Sequence, residues 1–265
     1  MIYLNEDERY LSAHISDLAE QSSKSGVPRF SRFLNEREKV VAMDVARTKG
    51  ANPIFYGGYD GAARTMCGFF GGTYAEDYPE IKDKSTEWQE MSKRDLFPLC
   101  TVTFSFRKAD TLTHRDFLGS VLGAGLERSM IGDILVSEDY AVLFCTEAAF
   151  EIAVGITRIG RYGVKTERGI TRGLPEGKTE LLDKTLSSLR LDCVVGACTN
   201  LSRDKSASLI KSGLVSADFL VCQNVSFTVK EGTVLSIRGY GRFRLKQVIG
   251  ETKKGRLRVS FEKSV

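Results

Sequence analysis

Near the end of the chain, two runs of alternating residues, RFRLKQVI and RLRVSF, flank the turn GETKKG. Alternate residues of a strand share a face, so Arg242, Arg244 and Lys246 look one way while Phe243, Leu245 and Ile249 look mostly the other. On the returning run Arg256 and Arg258 oppose Leu257, Val259 and Phe261. Paired through the turn that carries Lys253 and Lys254, the runs predict a hairpin with one apolar face and one face of cations without a carboxylate. The wet side of an ordinary sheet mixes its charges, because like charges directly across strands repel. A face of one sign suits a polyanion instead, nucleic acid above all.

A second place for phosphate lies upstream. Ser202 is a fitting N-cap for a helix over Arg203 to Ser212, and Gly213 a fitting left-handed stop. At about 100° per residue Ala207, Ile210 and Leu214 fall on one stripe, which predicts the buried side, with Lys205 on the far side. Arg203 sits in the first turn, where its head reaches past the helix end, and a helix N-terminus that also presents an arginine favours an anion. The bland alternative is a surface arginine with a packed stem.

Other chemistry is thinly represented. Cysteines 67, 100, 145, 193, 198 and 222 form no CxxC pair and have only His14 and His114 for company. Reduced, mostly buried thiols are therefore expected, with no metal and no cofactor; Cys193 and Cys198 are the nearest pair. GGYDG at 57–61 lacks a GxxxxGK[ST] or GxGxxG context, so its glycines predict tight turns rather than a phosphate loop. His114 beside Arg115 and Asp116 is a polar first-turn residue. No paired acid and base stand out, and no catalytic residue is expected.

These groups need elements to hold them, and 265 residues suffice for two or three modest domains. No apolar stretch approaches the roughly 20 residues of a membrane span, and the start MIYLNEDERY has no basic-then-apolar leader, so a soluble, cytoplasmic chain is expected. Residues 6–24 and 30–49 carry helical spacing, and PIFYGGYDGAARTMCGFFGG predicts two short strands around a glycine-rich bend. Together they predict a small α+β unit over 1–75. The polar stretch 74–94 around Trp88 predicts a connector or exposed helix. Residues 95–170 then predict β-α-β-β-α-β, a two-layer sandwich of RNA-recognition type, in which Tyr140 and Phe144 share a face that could stack a base or equally belong to a core or an interface. Gly119, Gly123, Gly125 and Gly132 suggest that something packs closely there. TERGITRGLPEGK, 166–178, predicts a linker to a last domain over 186–265, with a helix over Leu186 to Cys198 and strands at VSADFLVC, NVSFTV and TVLSIRG. From Ser187 onward 14 Lys and Arg face 6 Asp and Glu, whereas residues 1–186 hold 24 against 28. The overall charge of +4 conceals that split.

Arg190-Leu191-Asp192, the run Ser202 to Ala207, LIKSGLV and VKEGTVLSIRGYGRFRL resemble the S-four RNA-binding domain, named after the fourth protein of the small ribosomal subunit. FLNEREKVV, FYGGYDGAARTMCGFF and FLGSVLGAGLERSMIGDILV extend the resemblance to the bacterial YlmH family. The resemblance implies a chain that binds rRNA and tRNA; an α+β fold, a monomer and no membrane contact are expected beside it. It further implies a role on large ribosomal subunits obstructed by peptidyl-tRNA, in ribosome-associated quality control, and a link to cell division. Carried over by position, the RNA contacts would be Arg190, Ser202, Arg203, Lys205, Lys211, Arg238, Arg242 and Arg244, gathered on one side of the last domain. The cations of the final turn and returning strand would add to them. Two departures stand out: Val215-Ser216-Ala217-Asp218-Phe219 replaces a common VxVNG, and Thr233 follows Glu231-Gly232 where Asp is common. S-four domains are also appended to pseudouridine synthases and tyrosyl-tRNA synthetases, so an RNA-modifying enzyme is the alternative, and Arg190-Leu191-Asp192 superficially resembles a synthase motif. A protein-docking role is a third reading.

Overall fold

Helix α1 (Glu6–Ser25) opens with Glu6, Asp7 and Glu8 and has Lys24 in its last turn, an arrangement that suits the helix dipole. It buries Ile15, Leu18 and Ala19 against Ala42 and Ala46 of α2 (Glu36–Thr48). Helix α2 begins later than its apolar spacing suggests, because Asn35 caps it. The Asn35 side chain accepts from the Glu38 N–H at 2.9 Å, and the Glu38 carboxylate accepts from the Asn35 N–H at 2.6 Å. The residues before this capping box go to extended chain: β1 (Arg29–Phe30) joins β2 (Ile54–Tyr56) and β3 (Met66–Phe69) in a small sheet ordered β1-β3-β2.

In this computed structural model the described residues are 6–71, 96–175, 179–218, 220–252 and 255–264. They fall into two units, Met1–Glu176 and Gly177–Val265. The segment around Trp88 lies outside the described residues.

The expected β-α-β-β-α-β follows as β4 (Leu99–Ser105), α3 (His114–Gly123), β5 (Ile131–Val136), β6 (Tyr140–Thr146), α4 (Glu147–Val154) and β9 (Lys165–Arg168). A two-stranded hairpin, β7 (Arg158–Ile159) and β8 (Tyr162–Gly163), intervenes between α4 and β9 and has no counterpart in the sequence reading. The sheet order is β5-β6-β4-β9, antiparallel throughout. Phe117 and Val121 of α3 and Ala149 and Ala153 of α4 pack on one face, against Val102, Phe104, Ile131 and Leu143.

The opposite face, where an RNA-recognition module stacks bases, is closed by the chain's own N-terminal part. Val142 and Phe144 are fully buried beneath Phe33, Tyr56, Met66 and Phe97. Tyr59 lies 5.2 Å from Phe144 at an interplanar angle of 33°, and Tyr140 sits beneath the Arg172 guanidinium at 4.5 Å. Of the two readings of this face, the core reading holds for Phe144, while Tyr140 stays half-buried. One glycine of GGYDG serves this packing: Gly58, at φ +102°, meets the Phe144 ring so closely that no Cβ fits, while Gly61, at φ +78°, turns the chain as expected. Polar groups fasten the same seam. Buried Arg64 donates to the carbonyls of Ile131 (2.8 Å), Phe33 (3.0 Å) and Arg128 (2.9 Å). Asp133 accepts from the Tyr59 hydroxyl and the Ala63 N–H, each at 2.7 Å. Burial, then the neighbouring Asp133 charge, push the Tyr59 pKa up.

Two expectations about spacing fail here. Among the described residues nothing lies near an added Cβ at Gly119, Gly123 or Gly125, whereas Gly132 is crowded by Phe33 and Phe144. Much of the expected linker is structure: β9 pairs with β4, the Thr103 hydroxyl donates to Gly169 O at 2.7 Å, and Ile170 and Leu174 pack on the second face.

In the second unit the sheet runs β10-β15-β14-β13-β11-β12. Its strands are β10 (Thr179–Leu186), β11 (Val215–Ala217), β12 (Leu220–Val221), β13 (Val234–Ile237), β14 (Gly241–Glu251) and β15 (Leu257–Ser264). Strand β10 pairs with β15 along its whole length, so the sheet takes in residues ahead of 186. Helices α5 (Leu191–Thr199) and α6 (Arg203–Lys211) cover one face, with Leu191, Val194, Val195 and Ile210 on Val215, Leu235, Phe243, Leu245, Val259 and Phe261. Helix α5 thus starts at Leu191 rather than Leu186, the end of β10. The buried side of α6 is Ser206 and Ile210 rather than Ala207 and Leu214. A Cβ at Gly196 of α5 would come within 3.2 Å of the Ser206 hydroxyl, so the helices cross on small residues. NVSFTV is a turn rather than a strand, since Asn224 accepts from the N–H groups of Ser226 and Phe227. Cys67, Cys145 and Cys198 are buried, and burial pushes each thiol up to about 12.

Candidate nucleic-acid interface

Both helix starts of the second unit converge on one carboxylate. The turn at 224–228 supplies carbonyls to the first N–H groups of α5, Leu191 to Phe227 O at 2.8 Å and Asp192 to Val225 O at 3.2 Å, which fixes Asp192 at the helix mouth. Asp192 is 4% exposed and accepts four hydrogen bonds. Its Oδ1 takes Arg190 Nε (3.2 Å) and the Cys193 N–H (3.0 Å); its Oδ2 takes Arg190 Nη2 (3.1 Å) and Arg203 Nε (3.0 Å). Burial works against the ionised form, but the hydrogen bonds from Arg190 and Arg203 outweigh it and hold the pKa at about 2. The carboxylate stays charged at neutral pH and orients two guanidinium groups.

Arg203 keeps a side chain 66% exposed, and among the described residues only its Nε is engaged. Both terminal nitrogens remain for a ligand, in the fork geometry that matches a phosphate. Ser202 caps α6 through the Lys205 N–H at 3.4 Å, and Lys205 is exposed one turn in. Lys211 is exposed in the last turn of α6. Arg238, also exposed, has its backbone N–H on Leu214 O at 3.0 Å, which ties the end of β13 to the chain leaving α6.

Strand β14 carries Arg242, Arg244 and Lys246, and β15 carries Arg258. Phe243 and Leu245 are buried while Arg244 is exposed, as alternation requires. The expectation of a face without carboxylates is corrected: β15 runs on past Phe261, so Glu262 turns outward opposite Arg244 and pairs with Lys246 at 3.1 Å. Register shifts at Lys246 and Ile249 bring Val248 onto the core side and leave Ile249 exposed, another departure from plain alternation. Arg256 reaches Thr185 O at 3.4 Å. Lys253 and Lys254 lie outside the described residues. Arg242, Arg244 and Arg258 point away from the face that α5 and α6 cover, so the cations form two groups separated by the sheet rather than one surface. Among the described residues Lys205, Lys211, Arg238, Arg244 and Arg258 make no ion pair.

The departure at VxVNG has a local answer. Asp218 takes the left-handed conformation, φ 45°, that asparagine or glycine favours, and its carboxylate accepts from the Val234 N–H at 2.9 Å.

Comparison with known proteins adds a lineage to this geometry. The chain is 35% identical over 237 residues to "Ribosome-associated protein quality control protein P2" of Bacillus subtilis (strain 168), covering 87% of this chain and 85% of that one. Residues 96–171 match the family described as "Putative RNA-binding domain in YlmH". The chain belongs to the YlmH family. A solved structure, "Cell division protein ylmH from Streptococcus pneumoniae", is 21% identical, covers 64% of this chain and 95% of its own, and has a TM-score of 0.46. For this YlmH-family chain, sequence reasoning singled out Arg190 and Arg203 but missed Asp192 as the group that joins them. The motif Arg190-Leu191-Asp192 was its only visible trace.

Proposed function

We propose that the protein is a non-catalytic RNA-binding factor of ribosome-associated quality control. The observation that carries this reading is the pair of guanidinium groups held by Asp192 at the mouths of α5 and α6, with Arg203 presenting its free edge outward. The relative named for ribosome-associated quality control supports the setting. The RNA would be rRNA and tRNA of a large ribosomal subunit obstructed by peptidyl-tRNA, and the protein would act in the cytoplasm by positioning that RNA while partners react. Asp192 is buried and committed to four donors, a role in architecture rather than attack on a substrate.

Sedimentation of tagged protein with purified ribosomal subunits tests this. Wild type is expected to migrate with the large subunit, and Arg203→Glu and Arg242→Glu to remain near the top of the gradient. Co-migration of both variants at wild-type levels would refute the reading.

A further inference from the structure

The first unit buries the surface on which its fold usually meets RNA, yet it carries a second cationic feature that the sequence reading passed over. Residues 155–172 hold five Lys and Arg against a single Glu, within a unit otherwise rich in acid. Arg168 is spent on Glu151 at 2.9 Å and Arg172 on Asp139 at 2.8 Å. Glu167 takes the Thr171 hydroxyl at 2.7 Å. Arg158, Arg161 and Lys165 remain exposed, and among the described residues none of the three has an ion pair.

The β7–β8 hairpin presents the two arginines rigidly, and Lys165 opens β9 just beyond it. Ile159 is fully buried in the core, Gly160 turns at φ +56°, and its N–H donates to the Ser120 hydroxyl of α3 at 2.9 Å. Arg158 donates to Arg161 O at 3.3 Å, which props its side chain along the turn. Arg161 lies over the Tyr162 ring, 5.0 Å from its centroid, and donates to the Tyr162 hydroxyl at 2.8 Å. Two anchored arginines beside a half-exposed aromatic ring, with an exposed lysine three residues further along the chain, have the composition of a surface that tracks a nucleic-acid backbone.

We infer that the β7–β8 hairpin and the start of β9, through Arg158, Arg161 and Lys165 with Tyr162, form a second RNA-binding site that grips the phosphate backbone. It goes beyond the proposed function, whose contacts lie in the second unit. A basic hairpin could also meet an acidic protein, and the experiment separates the two.

The full chain and its Arg158→Ala/Arg161→Ala/Lys165→Ala variant are titrated with purified ribosomal RNA at several salt concentrations. Each lost phosphate contact removes about 0.7 to 0.9 from the slope of log affinity against log salt. The triple variant is expected to lose about tenfold or more in affinity and about two units of slope, with an unchanged Tm because the side chains are exposed. Photo-crosslinking of wild type to the same RNA is expected to mark Tyr162. Unchanged affinity and slope, alongside loss of binding by Arg203→Glu, would overturn this inference and leave the proposed function standing. So would retained RNA binding with lost capture of an acidic protein. Unchanged binding by Arg203→Glu and Arg242→Glu as well would remove both readings.

Discussion

At the level of single residues, Asp192 does the most with the least surface. Asparagine keeps one acceptor oxygen but turns an NH2 donor towards the guanidinium groups and removes their counter-charge, so Asp192→Asn is expected to cost the second unit about 1–3 kcal/mol in chemical denaturation at pH 7. RNA affinity is expected to fall too, although the variant gains net positive charge; a rise in affinity would contradict the orienting role. Because the folded pKa of about 2 lies below the ordinary 3.8, the stability from this group is present above about pH 4 and drains away as pH falls towards 2. Denaturation midpoints measured between pH 5 and pH 2 should therefore decline more steeply in wild type than in Asp192→Asn. Arg190, Arg203 and the Ser202 cap were legible because each belongs to a local pattern. The link between them was not, since helical periodicity speaks of one helix at a time and Asp192 and Arg203 lie on two.

Among elements, period-two alternation revealed the basic hairpin and the order β-α-β-β-α-β, but it passed over β10 and read NVSFTV as a strand. It could not reveal what covers each face. Strand β6 is apolar on both sides, Leu143 beneath the helices and Phe144 beneath the N-terminal part, and such a run says only that two coverings exist. The conservative change Phe144→Leu is expected to lower the Tm of the first unit by several degrees and to leave RNA affinity unaltered. A selective loss of RNA binding without loss of stability would return Phe144 to the role of base platform. Helix α3 allows a test of the opposite sign. Gly119 and Gly123 lie in a helix with open space where a Cβ would go, so Gly119→Ala and Gly123→Ala should each stabilise by roughly 0.5–1 kcal/mol, read from thermal unfolding. Hairpin β7–β8 and the turn at 224–228 escaped the sequence reading because each is only a few residues long and takes its shape from what it packs on.

For the whole molecule, the uneven charge is the property that composition disclosed most clearly, with an excess of basic residues from Ser187 onward set against an acidic remainder. If about six phosphates are neutralised in the complex, raising salt from 50 to 200 mM should weaken RNA binding roughly a thousandfold, measurable by filter retention. A flat response would mean that the cations serve solubility alone. The ring of Tyr59, tilted over Phe144, fills the berth a nucleobase takes in proteins of similar topology. Supplied with this resident surrogate, the sheet face around Phe144 offers, among the described residues, no opening in which to compare one base with another. Transcripts of different spelling but equal shape should look alike to it, and discrimination must come from how the RNA is folded.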